Sequence, residues 1–574
     1  MKKLLKHMKG YTAPAVSAPF FKVLEAIFEL MIPLVVKDII DVGIAMKDTP
    51  HIIRMCGVMI LLGLVGFTCT MFAQYFAARA AVGFSANVRM ALFEHTQKLT
   101  FADIDRLGTS TMITRMTGDI TTVQSGVNLT LRLFSRSPVI VFGSMIMAFT
   151  IDVRSALIFA VTIPMLSIVV FGIMLGGRPL YRKAQKGVDG ILGMTRENLA
   201  GTRVIRAFAS ENEEVRKFTA QNASLTGMQK FAGKVTALMN PLTYLIVNIA
   251  IVMLVHTGAV QVNEGSLTQG EVIALYNYMS QILVELVKLA NLIITMTKAA
   301  ASADRIEQML EDGGKPLPTS DDSAKKDENA VTFENVALTY AGASAASLSH
   351  ITFSVKKGET VGVIGGTGSG KSTLVNLIPR FYDATAGKIL IDGRDIRSYE
   401  AETLREKVGT VMQKAVLFRG TIRENLRWGN PEATDEEIWR ALEIAQAKEI
   451  VEGKEGGLDH MIEQDGKNLS GGQKQRLGIA RTLVGDPDIL IFDDSASALD
   501  YATDAKLRAA VKELGGEKTV FIVSQRAMSI AHADKILVLD DGTLVGIGTH
   551  EDLLENCSVY QEIYYSQFPK EQNA

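Results

Sequence analysis

Two apolar runs set the terms for the rest of this chain. Pro138 to Ile151 and Ala156 to Leu175 contain no charged side chain, and only Asp152 to Ser155 separates them. A helix at a protein surface keeps a polar face, so runs that are apolar all round belong in a bilayer or a deep core. A membrane crossing takes ~20 residues. By that measure six spans are expected: Ala18 to Ile39, Met55 to Phe76, Leu133 to Ile151, Ala156 to Leu175, Leu238 to Val260 and Val272 to Thr295. Lys22, Glu25 and Glu29 in the first and Glu285 and Lys288 in the last are costly in lipid, which directs them either to the inside of a bundle or into local pairs near the inner interface.

Basic residues orient the spans, because positively charged loops stay inside. Arg89, Lys98, Arg106 and Arg115 follow the second span, and Arg178, Arg182, Lys183, Lys186, Arg196, Arg203 and Arg206 follow the fourth. Both connections are therefore expected in the cytoplasm, along with both chain termini. Asp41, at the outer end of the first span, is a carboxylate that could meet an opposite half. The cytoplasmic connections keep helical periodicity, so the spans should continue beyond the bilayer as long helices. Each includes a polar corner, Phe101 to Gly108 in one and Glu197 to Phe208 in the other. The basic, amphipathic start, MKKLLKHMKG, has no cleavage site after a short apolar core and is expected on the inner membrane surface.

Beyond about residue 300 the pattern changes. Residues 311 to 330 are rich in Gly, Pro, Ser, Asp and Lys and read as an exposed linker. From Val331 short apolar strands alternate with helical segments. The expected organisation is thus a helical membrane bundle over residues 1–310, the linker 311–330, and an α/β domain over 331–574. Three cysteines give no disulfide framework, and a net charge of −2 gives no reason to expect nucleic acid as a partner.

Within the α/β part, Gly365, Gly366, Thr367, Gly368, Ser369, Gly370, Lys371, Ser372 and Thr373 match the phosphate-loop pattern G-x-x-x-x-G-K-[ST]. The strand-like Thr360 to Ile364 precedes them and a helix-like run follows, the context in which backbone N–H groups close around phosphate oxygens. Lys371 supplies a point charge and Ser372 can hold Mg2+. Tyr340 lies upstream, where a ring could stack on a purine. Gln413 ends the strand Val408 to Met412. Leu469, Ser470, Gly471, Gly472 and Gln473 open a helix; Ile489 to Asp493 is an apolar strand ending in a carboxylate, and Ser497 to Asp500 lies beyond it.

With the phosphate loop, these elements resemble the nucleotide-binding domain of an ABC transporter: aromatic loop, Walker A, Gln loop, signature, Walker B and D-loop. Six spans ahead of such a domain resemble an exporter-type half-transporter, and the likeness covers nearly the whole chain. It implies that residues 365–373 hold ATP, that Ser372, Gln413 and Asp493 organise Mg2+, and that Leu469 to Gln473 complete the site of an opposite subunit in trans. It also implies that the two polar corners are coupling helices and that Asp500 belongs to the D-loop.

Two positions depart from the family pattern. Where it has a catalytic Glu after the Walker B Asp, this chain has Asp494; where it has the switch His, this chain has Gln525. Asp is one methylene shorter than Glu, enough to take a carboxylate out of the ~2.6 to 3.2 Å reach of a general base. The chain therefore resembles the degenerate-site subunit of a heterodimeric multidrug exporter, and a partner half-transporter with the Glu and His is expected. Its surroundings would be membrane lipid and its cargo a small amphiphile. A lipid or peptide exporter and an ATP-gated regulator or channel are the alternatives.

Overall fold

The computed structural model describes residues 3–311, 313, 328–495, 499–514 and 516–568. Contacts divide the chain into two compact units, Met1–Gln97 with Thr109–Asp312, and Lys98–Gly108 with Gly313–Ala574. Most of the expected linker, residues 312 and 314–327, lies outside the described residues.

The first unit is helical. Its main helices are α1 (Thr12–Asp38) and α2 (Thr49–Gln97). A short helix α3 (Phe101–Leu107) comes next in the chain and belongs to the second unit. Then follow α4 (Thr109–Ile151), α5 (Val153–Ala200), the short α6 (Thr202–Ala207), α7 (Glu211–Asn263) and α8 (Gln269–Glu311). At 1.5 Å per residue the 49-residue α2 runs to about 73 Å, more than twice the ~30 Å hydrocarbon core, so it extends well beyond a bilayer.

Among the described residues five helices, α2, α4, α5, α7 and α8, are long and apolar enough to cross a membrane. The expected six is thus not met on length and composition. α1 falls short because Lys22, Glu25, Glu29 and Lys37 interrupt its apolar sequence. Its packing is nevertheless close. Ala18, Lys22, Ala26 and Leu30 recur every fourth residue as a buried stripe, and the exposed Val16, Phe20, Ile27 and Met31 lie on the opposite side. A Cβ on Gly143 of α4 would overlap the Leu30 side chain, and the Tyr278 hydroxyl of α8 donates to the Leu30 carbonyl at 2.6 Å.

The second unit is built on a six-stranded sheet. Its strand order is Thr543–Gly548, Lys535–Asp540, Thr360–Gly365, Thr519–Val523, Ile489–Asp493, Val408–Val411. All neighbours pair parallel except the first two strands. Ile489–Asp493 is buried at every position, as expected of a strand covered on both faces. An antiparallel sheet, Leu348–Lys356, Asn329–Leu338, Ala386–Ile391 and Arg394–Asp395, shares an apolar core with it through Phe333, Phe353, Val361 and Val363.

The assignment of α3 to this unit has a local cause. Thr100 and Asp103 cap its first turn reciprocally, and Gly108 ends it at φ 73°. Phe101 stacks on Phe381 with ring centroids 4.5 Å apart, and Asp105 accepts a 2.6 Å hydrogen bond from the Tyr382 hydroxyl. Burial, reinforced by that carboxylate, pushes the Tyr382 phenol well above its ordinary range.

Candidate nucleotide site

The loop from Gly365 to Gly370 joins the central strand of the larger sheet to the helix Lys371–Leu377. Gly370 is held at φ 95°, and a Cβ there would lie 2.9 Å from the Ser347 carbonyl oxygen, so only glycine fits. Lys371 is buried, and its ammonium donates to the carbonyls of Gly365 at 2.9 Å and Gly366 at 2.7 Å. Burial lowers its pKa, while Asp494 and Asp493 oppose that shift. Ser369 Oγ is buried without a hydrogen-bond partner among the described residues. A loop that leaves one hydroxyl unpaired and turns its ammonium on its own carbonyls has donors to offer a polyphosphate.

Beside the loop lies a cavity of about 440 Å³. Thr367, Gly368, Gly370, Lys371, Ser372 and Thr373 form one side of it; Gln413, Asp493, Asp494 and Gln525 face them. Parallel pairing explains the meeting, since Asp493 and Val523 are register partners and their strands deliver Asp494 and Gln525 to the same sheet edge. The Ser372 hydroxyl donates to Asp493 Oδ1 at 2.8 Å, and burial raises the Asp493 pKa. A hydroxyl and a carboxylate converging beside a phosphate loop are hard oxygen donors suited to Mg2+. Asp494 sits at φ 45°, a left-handed conformation uncommon outside glycine, and its Oδ2 accepts from Gln413 Nε2 at 3.3 Å.

Other expected site residues lie elsewhere. Tyr340 packs at the edge of the smaller sheet's core; its hydroxyl donates to Thr373 Oγ1 at 3.1 Å and its ring meets Tyr382 edge-on. It does not line the cavity. Nor do Leu469, Ser470, Gly471, Gly472 and Gln473. Ser470 instead caps the helix Gly471–Val484 with Gln473 in a reciprocal box, leaving that N-terminus open to solvent. Asp500 caps the helix Tyr501–Leu514 through Thr503. Ser497 and Ala498 lie outside the described residues.

Sequence reading missed Gln475. Its buried amide accepts from Ala415 N at 3.3 Å and donates to the Met412 carbonyl at 3.1 Å. Both ends of the Gln413 segment are thereby tied to the helix that begins at Gly471. Ala345 and Asp541, which also line the cavity, carry no motif that would have revealed them.

In the helical unit the charges singled out from sequence meet a residue that was not. Arg136, at the start of an apolar run of α4, donates to Glu285 at 2.6 Å and Glu29 at 2.6 Å and lies 3.7 Å from Glu25. Lys22 pairs with Glu25 at 2.5 Å and Lys288 with Glu285 at 2.8 Å. Asp41 spends both oxygens on the start of α8, accepting from Thr268 Oγ1 at 2.5 Å and Gly270 N at 2.8 Å.

Comparison with known proteins accords with these features. Residues 16–286 match the family model of the ABC transporter transmembrane region, and residues 348–497 match that of the ABC transporter. An uncharacterized ABC transporter ATP-binding protein of Mycobacterium tuberculosis is 36% identical over 98% of this chain and 97% of its own. A putative multidrug export ATP-binding/permease protein of Bacillus subtilis is 32% identical over 99% of both. An ATP-dependent lipid A-core flippase of Vibrio vulnificus is 27% identical over 99% of this chain and 97% of its own. The solved structure of a bacterial Atm1-family ABC exporter with ATP bound has the same fold, with a TM-score of 0.81 and 23% identity over 98% of this chain and 99% of that one. This chain belongs to the ABC transporter family, with the family's transmembrane region and its ATPase domain on one membrane-spanning polypeptide.

Proposed function

We propose that the chain is one half of a heterodimeric ATP-driven exporter, binding ATP at a slow, degenerate site and serving a faster site on its partner. The observation that carries this reading is the shared cavity. Asp494 and Gln525 face Lys371 across it, whereas Ser470 to Gln473 do not line it. A signature with an open helix N-terminus has no phosphate of its own to meet, so its ligand is ATP on a second nucleotide-binding domain.

In this arrangement Lys371 and the amides of residues 366–372 hold the phosphates, and Ser372, Asp493 and Gln413 hold Mg2+. Held there, Mg2+ would supply positive charge to offset what develops on the phosphates. Asp494 is too short to bring its carboxylate to the water a Glu would orient. A misplaced base forfeits roughly 10² to 10⁴ in rate, so turnover belongs mainly to the partner's site.

Six spans are proposed, α1 being the first, with its charges neutralised inside the bundle. The basic connections after α2 and α5 put the nucleotide-binding domain and both termini in the cytoplasm of a cell membrane. α3 is joined by the chain to α2 and α4 and packs into the nucleotide-binding unit, which makes it the link that carries closure to the helices. The relative named for multidrug export supports an amphiphilic cargo.

The test compares two substitutions in the assembled transporter at saturating ATP. Ser470→Arg sets a bulky cation against the partner's ATP and should abolish turnover. Asp494→Ala should lower it less than about threefold, because a site already slowed by 10² or more contributes little. Equal damage from the two would make Asp494 a working catalytic carboxylate and end the asymmetric reading.

A further inference from the structure

The segment bearing Gln525 leaves the sheet at Val523 and re-enters regular structure only at the four-residue helix Ala527–Ile530. Arg526 N donates to Ser524 Oγ at 3.0 Å, Ser524 N is tied to the Val363 carbonyl at 3.1 Å and Ser529 N to the Arg526 carbonyl at 3.1 Å, which leaves the Gln525 carbonyl and the Ala527 amide still to be held. A residue that must point into a phosphate cavity from such a segment needs its backbone held from outside. That hold comes from the far end of the described chain. The side chain of Gln567 donates from Nε2 to the Gln525 carbonyl at 2.8 Å and accepts at Oε1 from Ala527 N at 3.0 Å. One amide thus spans Arg526 and supplies both the donor and the acceptor that a neighbouring strand would otherwise provide.

The helix that delivers this amide, Ser558–Gln567, is firmly seated. Tyr560 is fully buried in a core with Ile364, Ala527, Ile530 and Leu553, and its hydroxyl meets His550 Nδ1 at 2.6 Å. Ile364 directly precedes Gly365, so the same core underlies the phosphate loop. Apolar docking accounts for the helix position. It does not account for a side-chain amide satisfied at both ends by the backbone on either side of Arg526.

We propose that Gln567 is a positioning residue for the nucleotide site: it fixes the backbone from which Gln525 enters the cavity and thereby lengthens the stay of ATP there. The proposal rests on reading Gln525 as the switch residue. It adds a role for the C-terminal helix in how firmly this site holds ATP.

The experiment measures release of radiolabelled ATP with Mg2+ from the full chain in the assembled transporter in lipid nanodiscs, after a chase with unlabelled ATP. Gln567→Leu keeps the bulk and removes both hydrogen bonds; it should speed the slow phase of release at least fivefold. Gln567→Glu keeps the acceptor for Ala527 but sets a carboxylate against the Gln525 carbonyl, and should also speed it. With Gln525→Ala in place, Gln567→Leu should change release less than 1.5-fold, because the clamp then has no side chain to position. A fivefold effect that persists with Gln525→Ala would make Gln567 a merely structural anchor and overturn the proposal, as would no effect with Gln525 intact. Hydrogen exchange on the unsubstituted chain needs no variant: the Ala527 amide should be protected like those of the adjoining strand, and exchange at loop rates would refute the clamp. Rapid hydrolysis at this site would refute the degenerate reading alone, leaving the dependence on Gln525 to judge Gln567.

Discussion

Replacing Arg136 with Gln tests how the charges of the helical unit are balanced. Glu25, Glu29 and Glu285 face Lys22, Arg136 and Lys288, three charges of each sign and a net of zero. Breaking a buried ion pair from one side costs about 3 to 5 kcal/mol, because the remaining charge is left uncompensated. Here the loss is shared unequally. Glu285 keeps Lys288 at 2.8 Å and Ser137 at 2.9 Å, and Glu25 keeps Lys22 at 2.5 Å. Glu29 alone loses its cation among the described residues. The expected destabilisation therefore falls at the lower end, about 3 kcal/mol. Adding Glu29→Gln returns the net charge to zero and should recover at least half of it. Equilibrium unfolding in mixed micelles, followed by circular dichroism, measures both variants. Equal stability of the single and double variants would refute the charge argument, leaving lost Arg136 packing as the whole effect.

Two other perturbations have defined signs. Burial holds the His550 imidazole below its ordinary value of about 6.5, so its packing against Tyr560 contributes stability above that pH and loses it as pH falls through the lower folded value. The unfolding midpoint should drop more between pH 7.5 and 5.5 in the unsubstituted chain than in His550→Gln; parallel curves would exclude the histidine. Tyr382→Phe removes the hydrogen bond to Asp105, worth about 1 kcal/mol, while Phe101 stays stacked on Phe381. Amide exchange across Phe101 to Leu107 should rise about fivefold, and unchanged exchange would show that stacking alone seats α3.

Much of the nucleotide site was legible because its devices are local. Residues 365–373 bend as they do through their own glycines, and Ser470 caps its helix with Gln473 three residues on, so adjacent positions determine both. Apolar strands ending in Asp493 and Val523 were readable for the same reason. That Asp494 and Gln525 share one cavity was not, since parallel pairing of strands about 30 residues apart brings them together. The order of motifs anticipated an aromatic ring near the phosphate loop; the fold bonds the Tyr340 hydroxyl to Thr373 at 3.1 Å and sets its ring edge-on to Tyr382, a contact that motif order does not reveal.

Residues close together in the chain were enough to reveal the apolar membrane helices, the phosphate-loop pattern and the capped start of the helix at Gly471. Only the packed fold decided which charges neutralise one another, to which unit α3 belongs, and which side chain bonds the backbone on either side of Arg526. A window of hydropathy counts the charges of α1 against it, yet Arg136, more than 100 residues away, pairs with Glu29 and lets that helix pack. Gln567 likewise looks like an ordinary exposed glutamine until folding sets it 2.8 Å from a carbonyl 42 residues earlier. Hydrogen bonds and ion pairs act over a few ångströms in space and take no account of separation along the chain, so only the packed fold can say which partners they join.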